Sequence, residues 1–502
     1  MLKILSSKQI KALDAFTIER DEITSIDLME RACRAFTNWF VENFDERIQV
    51  GIVCGTGNNG GDGLGIARLL KEKSYPIVVW IIRSEGVPTA DFSENLERAQ
   101  RTNVEIFEIL HADADIKPFE ETDVLIDAIF GSGLNRPVEG IYKSIIDAMN
   151  AATVRRVAVD IPSGLMADQA SAGAVFKADY TVSFQLPKLS FFLPESYRFV
   201  GEWVLVDIGL QKEFINNADT KYHYITLKGC RKILKRRSRF DHKGTYGHAL
   251  LVAGSIGKMG AAVLSSRAAV RSGLGLLSVH IPRCGNVILQ TSVPEAMVSL
   301  DISEDILTSP PSVDRYSSIG IGPGLGKATD SVKAMKSILQ HFRKPMVIDA
   351  DALNILAENR ELLPLIPEGT ILTPHPKEFE RLVGTWYDDF QRLQKLREMA
   401  SQLKCIVVLK GAFTSIAEPE GNVYFNATGN PGMATGGTGD VLTGILTGLL
   451  AQHYASLDAA LLGTYLHGLS GDIAALEKGM NSLIASDIIE FLPAAFLKIR
   501  RE

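Results

Sequence analysis

A glycine-rich segment near the end of the chain, residues 429–444, constrains the fold more than any other. Its sequence, GNPGMATGGTGDVLTG, leads into Asp440, and from Leu442 apolar residues recur at the spacing i, i+3, i+4, i+7 and i+8. That spacing predicts a buried helix beginning close to Asp440. The preceding glycines let a ligand approach the backbone, and the free N–H groups of a helix start attract an anion. The segment therefore predicts a phosphate site at the start of a helix.

Asp440 stands at that helix start, and two interpretations of it are open. A carboxylate repels phosphate, but it is well placed to take a proton from a hydroxyl that attacks a terminal phosphoryl group. Alternatively, Asp440 is only a helix-start acid that the helix dipole stabilises. The density of glycines and the apolar helix favour the chemical role.

The composition limits the class of protein. A length of 502 residues suggests about two to four domains. The net charge of −6 provides no basic field for nucleic acid, and no apolar run reaches the roughly 18 residues that span a bilayer. The amino terminus is typical of an amphipathic helix and not of a signal peptide. Five scattered cysteines without a CxxC pair indicate a reducing compartment. We therefore expect a cytoplasmic protein with neither nucleic-acid nor membrane partners.

The chain predicts two α/β domains, because a strand–glycine loop–helix pattern occurs twice. Apolar residues 50–54, the loop GTGNNGGDG, a helix near residues 64–73 and a strand at 77–82 form the first pattern. The pattern restarts with a strand at 249–253 and a helix through 261–271. Between them, residues 211–243 are crowded with Lys and Arg, as in a solvated connector or, alternatively, a phosphate clamp. We place the domains at residues 1–218 and 219–502.

Motifs of the first half gather at predicted strand ends. GTGNNG matches the dinucleotide-binding pattern GxGxxG, but the only candidate for the acid that binds ribose is Glu85. Asn58 and Asn59 supply amide groups that suit polar ligands or a hard cation. Asp127 and Asp160 each end a predicted strand before a glycine loop. Such a pair indicates acid–base chemistry, but either acid could instead cap the loop that follows it, and for Asp127 the two interpretations are equally good.

The second half carries further motifs in a fixed order. They are GSIGKMG at 254–260, GIGPGLG at 320–326, DADALN at 349–354 and TPHPKEFERL at 373–382. His375 and Glu378 are candidates for ligand binding, or they only mark a helix start. Lys410 ends a predicted strand, where it is placed to meet a phosphate.

In this order, the motifs resemble those of the bifunctional NAD(P)H-hydrate repair enzymes, in which an NAD(P)HX epimerase is fused to an NAD(P)HX dehydratase. NNGGDG, DAIFGSGLNRPVEG and VDIPSGL are similar to the epimerase half, and the remaining motifs through GNPGMATGGTGDVLTG are similar to the dehydratase half. The resemblance covers nearly the whole chain. It implies an α/β protein: a Rossmann-like three-layer domain followed by a ribokinase-like domain.

For the first domain, the resemblance implies a site for the hydrated dinucleotide in which Asp160 is catalytic. The implied substrate-binding residues are Asn58, Asn59, Gly60, Gly61, Asp62, Ala128, Ile129, Phe130, Gly131, Ser132, Gly133, Leu134 and Asp160. A potassium ion is implied at Asn59, Asp123 and Ser163. Met166 stands where the family usually has an acid or amide after PSGL.

For the second domain, the resemblance implies Asp440 as the catalytic acid–base. Hydrate-binding residues would be Ala261, Gly322, His375, Pro376, Lys377, Glu378, Phe379, Glu380, Arg381 and Asp440. Nucleotide-binding residues would be Lys410, Gly411, Ala412, Phe413, Thr414, Asn430, Pro431, Gly432, Met433, Ala434, Thr435, Gly436, Gly437, Thr438 and Gly439. Lys377 stands where the family commonly has glycine.

The resemblance also implies the substrates and the reaction. NADHX and NADPHX would be epimerised, and the S epimer would be dehydrated at the expense of ADP, with magnesium as a cofactor and a homo-oligomeric state. Two alternatives stay open at this stage. The second domain could be a ribokinase-class kinase acting on a stable alcohol, and the first could be a binding module without chemistry.

Overall fold

A computed structural model describes residues 1–83, 86–111 and 117–501. The chain divides into two compact units. One contains Lys3–Thr220 with Asp388–Phe390, and the other contains Met1–Leu2, Lys221–Tyr387 and Gln391–Glu502. Glu85, the candidate ribose acid, lies outside the described residues. Within those residues, no helix is both long enough and apolar enough to cross a membrane.

The first unit is built around a parallel sheet. β1 (Leu2–Ile4) opens the chain and is not part of this sheet. The strands of the sheet are β2 (Val50–Cys54), β3 (Ile77–Ile82), β4 (Glu105–Ile109), β5 (Val124–Ala128), β6 (Arg155–Val159), β7 (Tyr180–Phe184) and β8 (Glu202–Val206). The helices are α1 (Ser7–Asp21), α2 (Ser25–Asn43), α3 (Asn58–Glu72), α4 (Ala90–Arg101), α5 (Lys117–Glu120), α6 (Gly140–Ala151), α7 (Pro194–Val200) and α8 (Lys212–Asn217), with a 3-10 turn at Leu189–Phe192.

The strand order confirms the Rossmann-like architecture. The sheet runs β4-β3-β2-β5-β6-β7-β8, and every neighbouring pair is parallel. The strands β2, β3 and β5 are buried along their whole length, as expected when helices cover both faces of a parallel sheet. α2 and α3 pack on one face and α6 on the other, which gives three layers. The order reverses between β2 and β5, where ligands bind in such sheets.

The second unit has a larger mixed sheet. Its strands are β9 (Tyr222–Tyr224), β10 (His248–Val252), β11 (Leu276–Ile281), β12 (Met297–Leu300), β13 (Ser318–Ile321), β14 (Val347–Ile348), β15 (Ile371–Leu372), β16 (Ile406–Leu409), β17 (Thr414–Ala417) and β18 (Val423–Asn426). They run in the order β9-β18-β17-β16-β15-β14-β13-β10-β11-β12. Only β17 pairs antiparallel with its neighbours among these strands.

The helices of the second unit follow the strands in α/β fashion. They are α9 (Leu227–Ile233), α10 (Met259–Arg271), α11 (Asn286–Ser292), α12 (Thr329–His341), α13 (Ala350–Glu358), α14 (Pro376–Val383), α15 (Asp389–Leu403), α16 (Thr438–Ala451), α17 (Ser456–Lys478) and α18 (Ala485–Arg501). Short 3-10 turns occur at Arg283–Gly285, Arg360–Leu365, Pro431–Met433 and Met480–Ser482.

The helix that the glycine-rich segment predicts is present as α16. It begins two residues before Asp440, and its side chains are buried from Val441 to Ala451. Its close packing against α10 explains the small residues along it. A Cβ at Gly444 would lie 2.1 Å from the Ser265 carbonyl oxygen, so a larger residue would push the two helices apart. Burial of this helix fixes its first turn, and with it Asp440, at the carboxyl edge of the sheet.

Candidate active sites

In the second unit, Asp440 lies in the first turn of α16. Gly437 is the N-cap residue of this helix, and no side chain caps its first N–H groups. Asp440 is half-buried, and burial, together with the negative charge of Asp349, raises the pKa of its carboxyl group to about 6. Lys410 opposes this increase only in part. A carboxylate with this pKa is mostly ionised at neutral pH and binds a proton more readily than an ordinary aspartate, as a general base must.

Lys410 and Asp349 form an ion pair beside Asp440. Lys410 follows β16 and donates to Asp349 Oδ1 at 2.8 Å, while Thr443 Oγ1 donates to Asp349 Oδ2 at 2.7 Å. Burial acts to raise the pKa of Asp349, but Lys410 and these hydrogen bonds outweigh it and hold the pKa below its ordinary value. A Cβ built on Gly439 would lie 3.5 Å from Lys410 Nζ, so the ammonium group faces the helix start. That Lys410 binds a phosphate stays a prediction.

The segment around His375 is held as a helix start. The imidazole Nδ1 accepts from the N–H groups of Lys377 and Glu378, and the Glu378 carboxylate accepts from the His375 N–H at 2.8 Å. Burial and the charge of Lys410 lower the pKa of His375, which keeps the ring neutral at pH 7. Phe379 is fully buried against Trp386, so its ring is not exposed to a ligand.

The other residues of that segment differ in exposure. Pro376, Lys377, Glu380 and Arg381 are exposed, and Arg381 donates to Asn354 Oδ1 at 2.6 Å. Glu378 is buried, and its Oε2 lies 3.9 Å from Lys410 Nζ. The structure thus places Glu378 next to the Lys410–Asp349 ion pair, whereas the other four residues face solvent.

Gly322 and Ala261 border the same edge of the sheet. Gly322 has φ +128°, and a Cβ there would lie 1.8 Å from the Asp349 carbonyl oxygen, so only glycine fits. A Cβ on Gly324 would lie 3.2 Å from that of Ala261, which places the loop after β13 against the start of α10. The backbone at this edge is therefore open to close approach by a ligand.

The predicted nucleotide loops are braced by residues that the sequence analysis did not single out. Asp472 of α17 accepts from the Gly429 N–H at 2.9 Å and from Asn430 Nδ2 at 3.0 Å. His467 Nε2 lies 2.9 Å from the Thr438 carbonyl oxygen. Burial lowers the pKa of His467 to about 4, so the ring is neutral and donates this bond. Both residues lie on α17, about 30 to 40 residues after their partners, and no local pattern connects them.

In the first unit, the predicted loops meet where the strand order reverses. Asn58 to Asp62 form the first turns of α3, which begins six residues earlier than predicted and has no side-chain cap. A Cβ at Gly60 would lie 1.9 Å from the Gly55 carbonyl oxygen, so this turn requires glycine. A Cβ at Gly131, in the loop after β5, would lie 3.6 Å from the Asn59 side chain. In that loop Ala128 and Ile129 are buried, whereas residues 130–134 are half-buried or exposed.

Asp160 is held by a buried lysine. Its backbone has φ +64°, an unusual value for a residue other than glycine, and it follows β6. Lys188 Nζ donates to Asp160 Oδ1 at 2.5 Å and to Ser183 Oγ at 2.9 Å, and the Phe184 N–H donates to the same Oδ1 at 3.1 Å. These contacts occupy one carboxylate oxygen of Asp160. Lys188 lies 28 residues further along the chain, and no local sequence pattern connects it with Asp160.

Two further acids are electrostatically coupled to Asp160. Burial, and then the charge of Asp160, raise the pKa of Asp14 to about 6, while Lys188 opposes the increase. Burial and the same charge raise the pKa of Asp62 well above its ordinary value. Asp14 comes from α1, outside every motif. The site therefore combines three acids with one buried lysine.

The predicted potassium site needs a correction. Asp123 precedes β5, is exposed and accepts from the Gln49 N–H at 2.8 Å. Ser163 follows β6, at the opposite, carboxyl edge of the sheet, about four residues of strand or 13 Å away. Asp127 is the acid that meets Ser163: its Oδ1 accepts from Ser163 Oγ at 2.6 Å and its Oδ2 from the Ser163 N–H at 2.7 Å.

Asp127 and Asn59 carry the buried polar groups that could hold a cation here. Its carboxyl group is completely buried, and burial raises its pKa to about 6 although Ser163 opposes this. Asn59, 7% exposed, has a buried side-chain nitrogen without a hydrogen-bond partner in the described part of the chain. Amide nitrogen and oxygen are interchangeable by rotation, so Asn59 can present its oxygen instead. No group of three or more His, Cys, Asp or Glu ligands occurs among the described residues.

Comparisons with known proteins agree with the two-unit structure. Residues 25–190 match the family model described as YjeF-related protein N-terminus, and residues 249–494 match the model described as NAD(P)H-hydrate dehydratase. A ribokinase-like superfamily protein of Enterococcus faecalis has a solved structure with 29% identity and a TM-score of 0.51. The match covers 57% of this chain and 99% of that one.

Curated relatives match along the whole length. The bifunctional NAD(P)H-hydrate repair enzyme of Moorella thermoacetica is 36% identical over 519 residues, which covers 99% of this chain and 97% of the relative. The enzyme of the same name from Coxiella burnetii is 34% identical, over 98% of this chain and 99% of the relative.

Proposed function

This chain belongs to the family of bifunctional NAD(P)H-hydrate repair enzymes, and from that premise we propose that it epimerises and dehydrates hydrated nicotinamide dinucleotides, NADHX and NADPHX. Dehydration is assigned to the second unit, within residues 219–502, and epimerisation to the first, within residues 1–218. The observation that carries the proposal is Asp440, half-buried at an uncapped helix start beside Lys410.

For dehydration, Asp440 takes the proton from the hydroxyl group on the hydrated ring. The hydroxyl oxygen then attacks the terminal phosphoryl group of ADP, and AMP leaves. The ring phosphate then leaves as inorganic phosphate while the neighbouring ring carbon loses a proton to solvent, and the electrons of that C–H bond form the double bond of the reduced nicotinamide. Lys410 and the free N–H groups at the start of α16 stabilise the negative charge that moves onto the phosphoryl oxygens.

The predicted binding residues keep the roles that the family resemblance implies for them. Residues 410–414 and 430–439 hold the nucleotide. Ala261, Gly322 and residues 375–381 hold the hydrate. Among these, Phe379 contributes only its backbone, because its ring is buried. Mg²⁺ usually binds through one or two carboxylates together with substrate phosphates. A magnesium ion would therefore enter the site with the phosphates of ADP.

For epimerisation, Asp160 exchanges protons with the hydrate at the switch point of the first sheet. Lys188 fixes one oxygen of Asp160, which leaves the other oxygen to face the substrate. The N–H groups at the start of α3 bind the substrate's phosphates. Potassium is assigned to Asn59, Asp127 and Ser163, where it would neutralise a buried carboxylate and hold the loop after β5. We also propose a homo-oligomer in the cytoplasm.

The test is incubation of racemic NADPH hydrate with the full chain, with and without ADP, followed by absorbance of the reduced cofactor and by product analysis. The proposal predicts complete recovery of NADPH with ADP only, together with one AMP and one phosphate per NADPH. Conversion of only the S epimer would remove the epimerase assignment. Formation of a stable phosphorylated product instead of NADPH would identify a kinase of the ribokinase class.

A further inference from the structure

A second cavity of the C-terminal unit lies at the opposite, amino edge of its sheet. Its volume is about 1060 Å³, and the carboxyl-terminal ends of α10 and α16 border it through Arg271 and Leu449. Since α16 starts at the active site, the nine residues from Asp440 to Leu449 separate the two sites by about 14 Å of helix. The cavity therefore belongs to neither site described above.

The cavity is strongly basic although the chain as a whole has a net charge of −6. Only two acids, Asp241 and Glu295, occur in its lining. Against them stand six cationic side chains, five of which are arginines: Lys235, Arg236, Arg237, Arg267, Arg271 and Arg500. Part of this set is the basic stretch between residues 231 and 243, which the active sites do not use.

Two of the cations have structural partners. Lys235 Nζ donates to the His453 carbonyl oxygen at 2.7 Å and lies 4.5 Å from the centre of the Tyr454 ring. Arg237 lies 4.0 Å from the centre of the Tyr246 ring and donates to the carbonyl oxygen of Gly273. Both side chains therefore donate hydrogen bonds to carbonyl groups just beyond the ends of α16 and α10. We count them as structural residues of the cavity lining.

The remaining four arginines are uncompensated. Arg236, Arg267, Arg271 and Arg500 are exposed, and none forms an ion pair in the described part of the chain. These four outnumber the two acids of the lining, Asp241 and Glu295, and Asp241 Oδ2 already accepts from the Tyr246 hydroxyl and the Ser238 N–H. Exposed guanidinium groups gathered at one opening attract an anion that can contact several of them.

The lining also favours an organic anion over a simple ion. Leu234, Val270, Val293 and Phe496 contribute apolar surface next to the arginines. Guanidinium groups bind phosphate oxygens through paired hydrogen bonds, and apolar walls strengthen that attraction by lowering the local dielectric constant. We propose that this cavity binds a phosphorylated metabolite of the nucleotide class, carrying two or more phosphate groups, at a site separate from Asp440.

The test uses Arg267→Ala/Arg271→Ala in the full chain. Both residues lie on the exposed side of α10 without ion pairs, so alanine preserves the helix. The matched control is Lys336→Ala/Arg343→Ala, which removes two exposed cations outside the cavity. ADP is the probe, titrated by calorimetry, and the oligomeric state of each variant is measured by sedimentation.

We expect the arginine variant to bind one ADP fewer per chain than the wild type, or to bind it at least about tenfold more weakly, a loss of about 1.4 kcal/mol. The control variant should bind ADP as the wild type does. Equal binding by the wild type and the arginine variant would overturn the proposal, and so would an equal loss in the control. A change of oligomeric state in the arginine variant without a change in ADP binding would show an interface between copies of the chain, and would also overturn it.

Discussion

Lys188 Nζ lies 2.5 Å from Asp160 Oδ1, and the two side chains expose only 2% and 12% of their surface. Removing one partner of such a buried pair leaves the other charge without compensation. The pair therefore connects the stability of the first unit with the orientation of its proposed catalytic acid.

Lys188→Met should destabilise the folded protein by about 3 to 5 kcal/mol, because it leaves the Asp160 carboxylate buried and unpaired. The double variant Asp160→Asn/Lys188→Met should recover most of that stability but no epimerisation. Urea unfolding of the two variants, followed by tryptophan fluorescence, provides the measurement. If Lys188→Met were as stable as the wild type, the ion pair would not be what stabilises this site.

Asp160→Ala should abolish epimerisation and leave dehydration of the S epimer intact, because the two activities are assigned to different units. The measurement compares NADPH recovery from pure S hydrate with recovery from the racemate. The variant should convert all of the pure S hydrate, but only the S half of the racemate. Loss of activity on pure S hydrate would contradict the assignment of two separate sites.

Asp127→Asn should weaken the stimulation of epimerisation by potassium at least about tenfold, since it removes the buried charge that would hold the ion. Asp123→Asn is the control, because that exposed residue lies at the other edge of the sheet. Initial rates of epimerisation are measured over a range of KCl at constant ionic strength. A potassium effect that depends on Asp123 and not on Asp127 would restore the original prediction.

The rate of dehydration should fall as the pH drops through about 6, because protonated Asp440 cannot act as a base. Protonation of Asp440 does not cause this fall by unfolding the protein. Its pKa is raised in the folded state, so protonating it stabilises the folded protein relative to the unfolded chain. The pH profile of kcat/KM, with ADP binding measured at each pH, tests this. A flat profile between pH 5 and pH 7 in this assay would exclude Asp440 as the titrating group.

Local sequence patterns predicted the fold well where burial and glycine spacing act together. The apolar strands β2, β3 and β5, and the buried helix after Asp440, follow directly from such patterns. The start of α3 was placed too late, because the glycines of NNGGDG look like a loop in sequence but lie within its first turns. There, close packing of Gly60 against Gly55 outweighs the low helix propensity of glycine.

Contacts between distant elements account for the rest of the differences. Lys188, Asp14 and His467 reach their sites from separate helices or loops, and no spacing in the sequence connects them to Asp160 or Asp440. Asp123 and Asp127 are four residues apart, yet they lie at opposite ends of one strand. Only the direction of β5 in the sheet shows which of the two acids lies at the carboxyl edge. The basic stretch at 231–243 is open in sequence to two interpretations, a solvated connector or a phosphate clamp, and the structure adds that part of it lines a cavity.

The central claim is that Asp440 acts chemically and does not merely start a helix. Asp440→Asn keeps the shape of the side chain and removes the base, and Asp330→Asn, at an exposed acid of α12, is the control. Single-turnover dehydration of S NADPH hydrate with saturating ADP should slow by about 10²- to 10⁴-fold in Asp440→Asn, with ADP affinity unchanged. A rate close to that of the control, with ADP bound normally, would contradict the account.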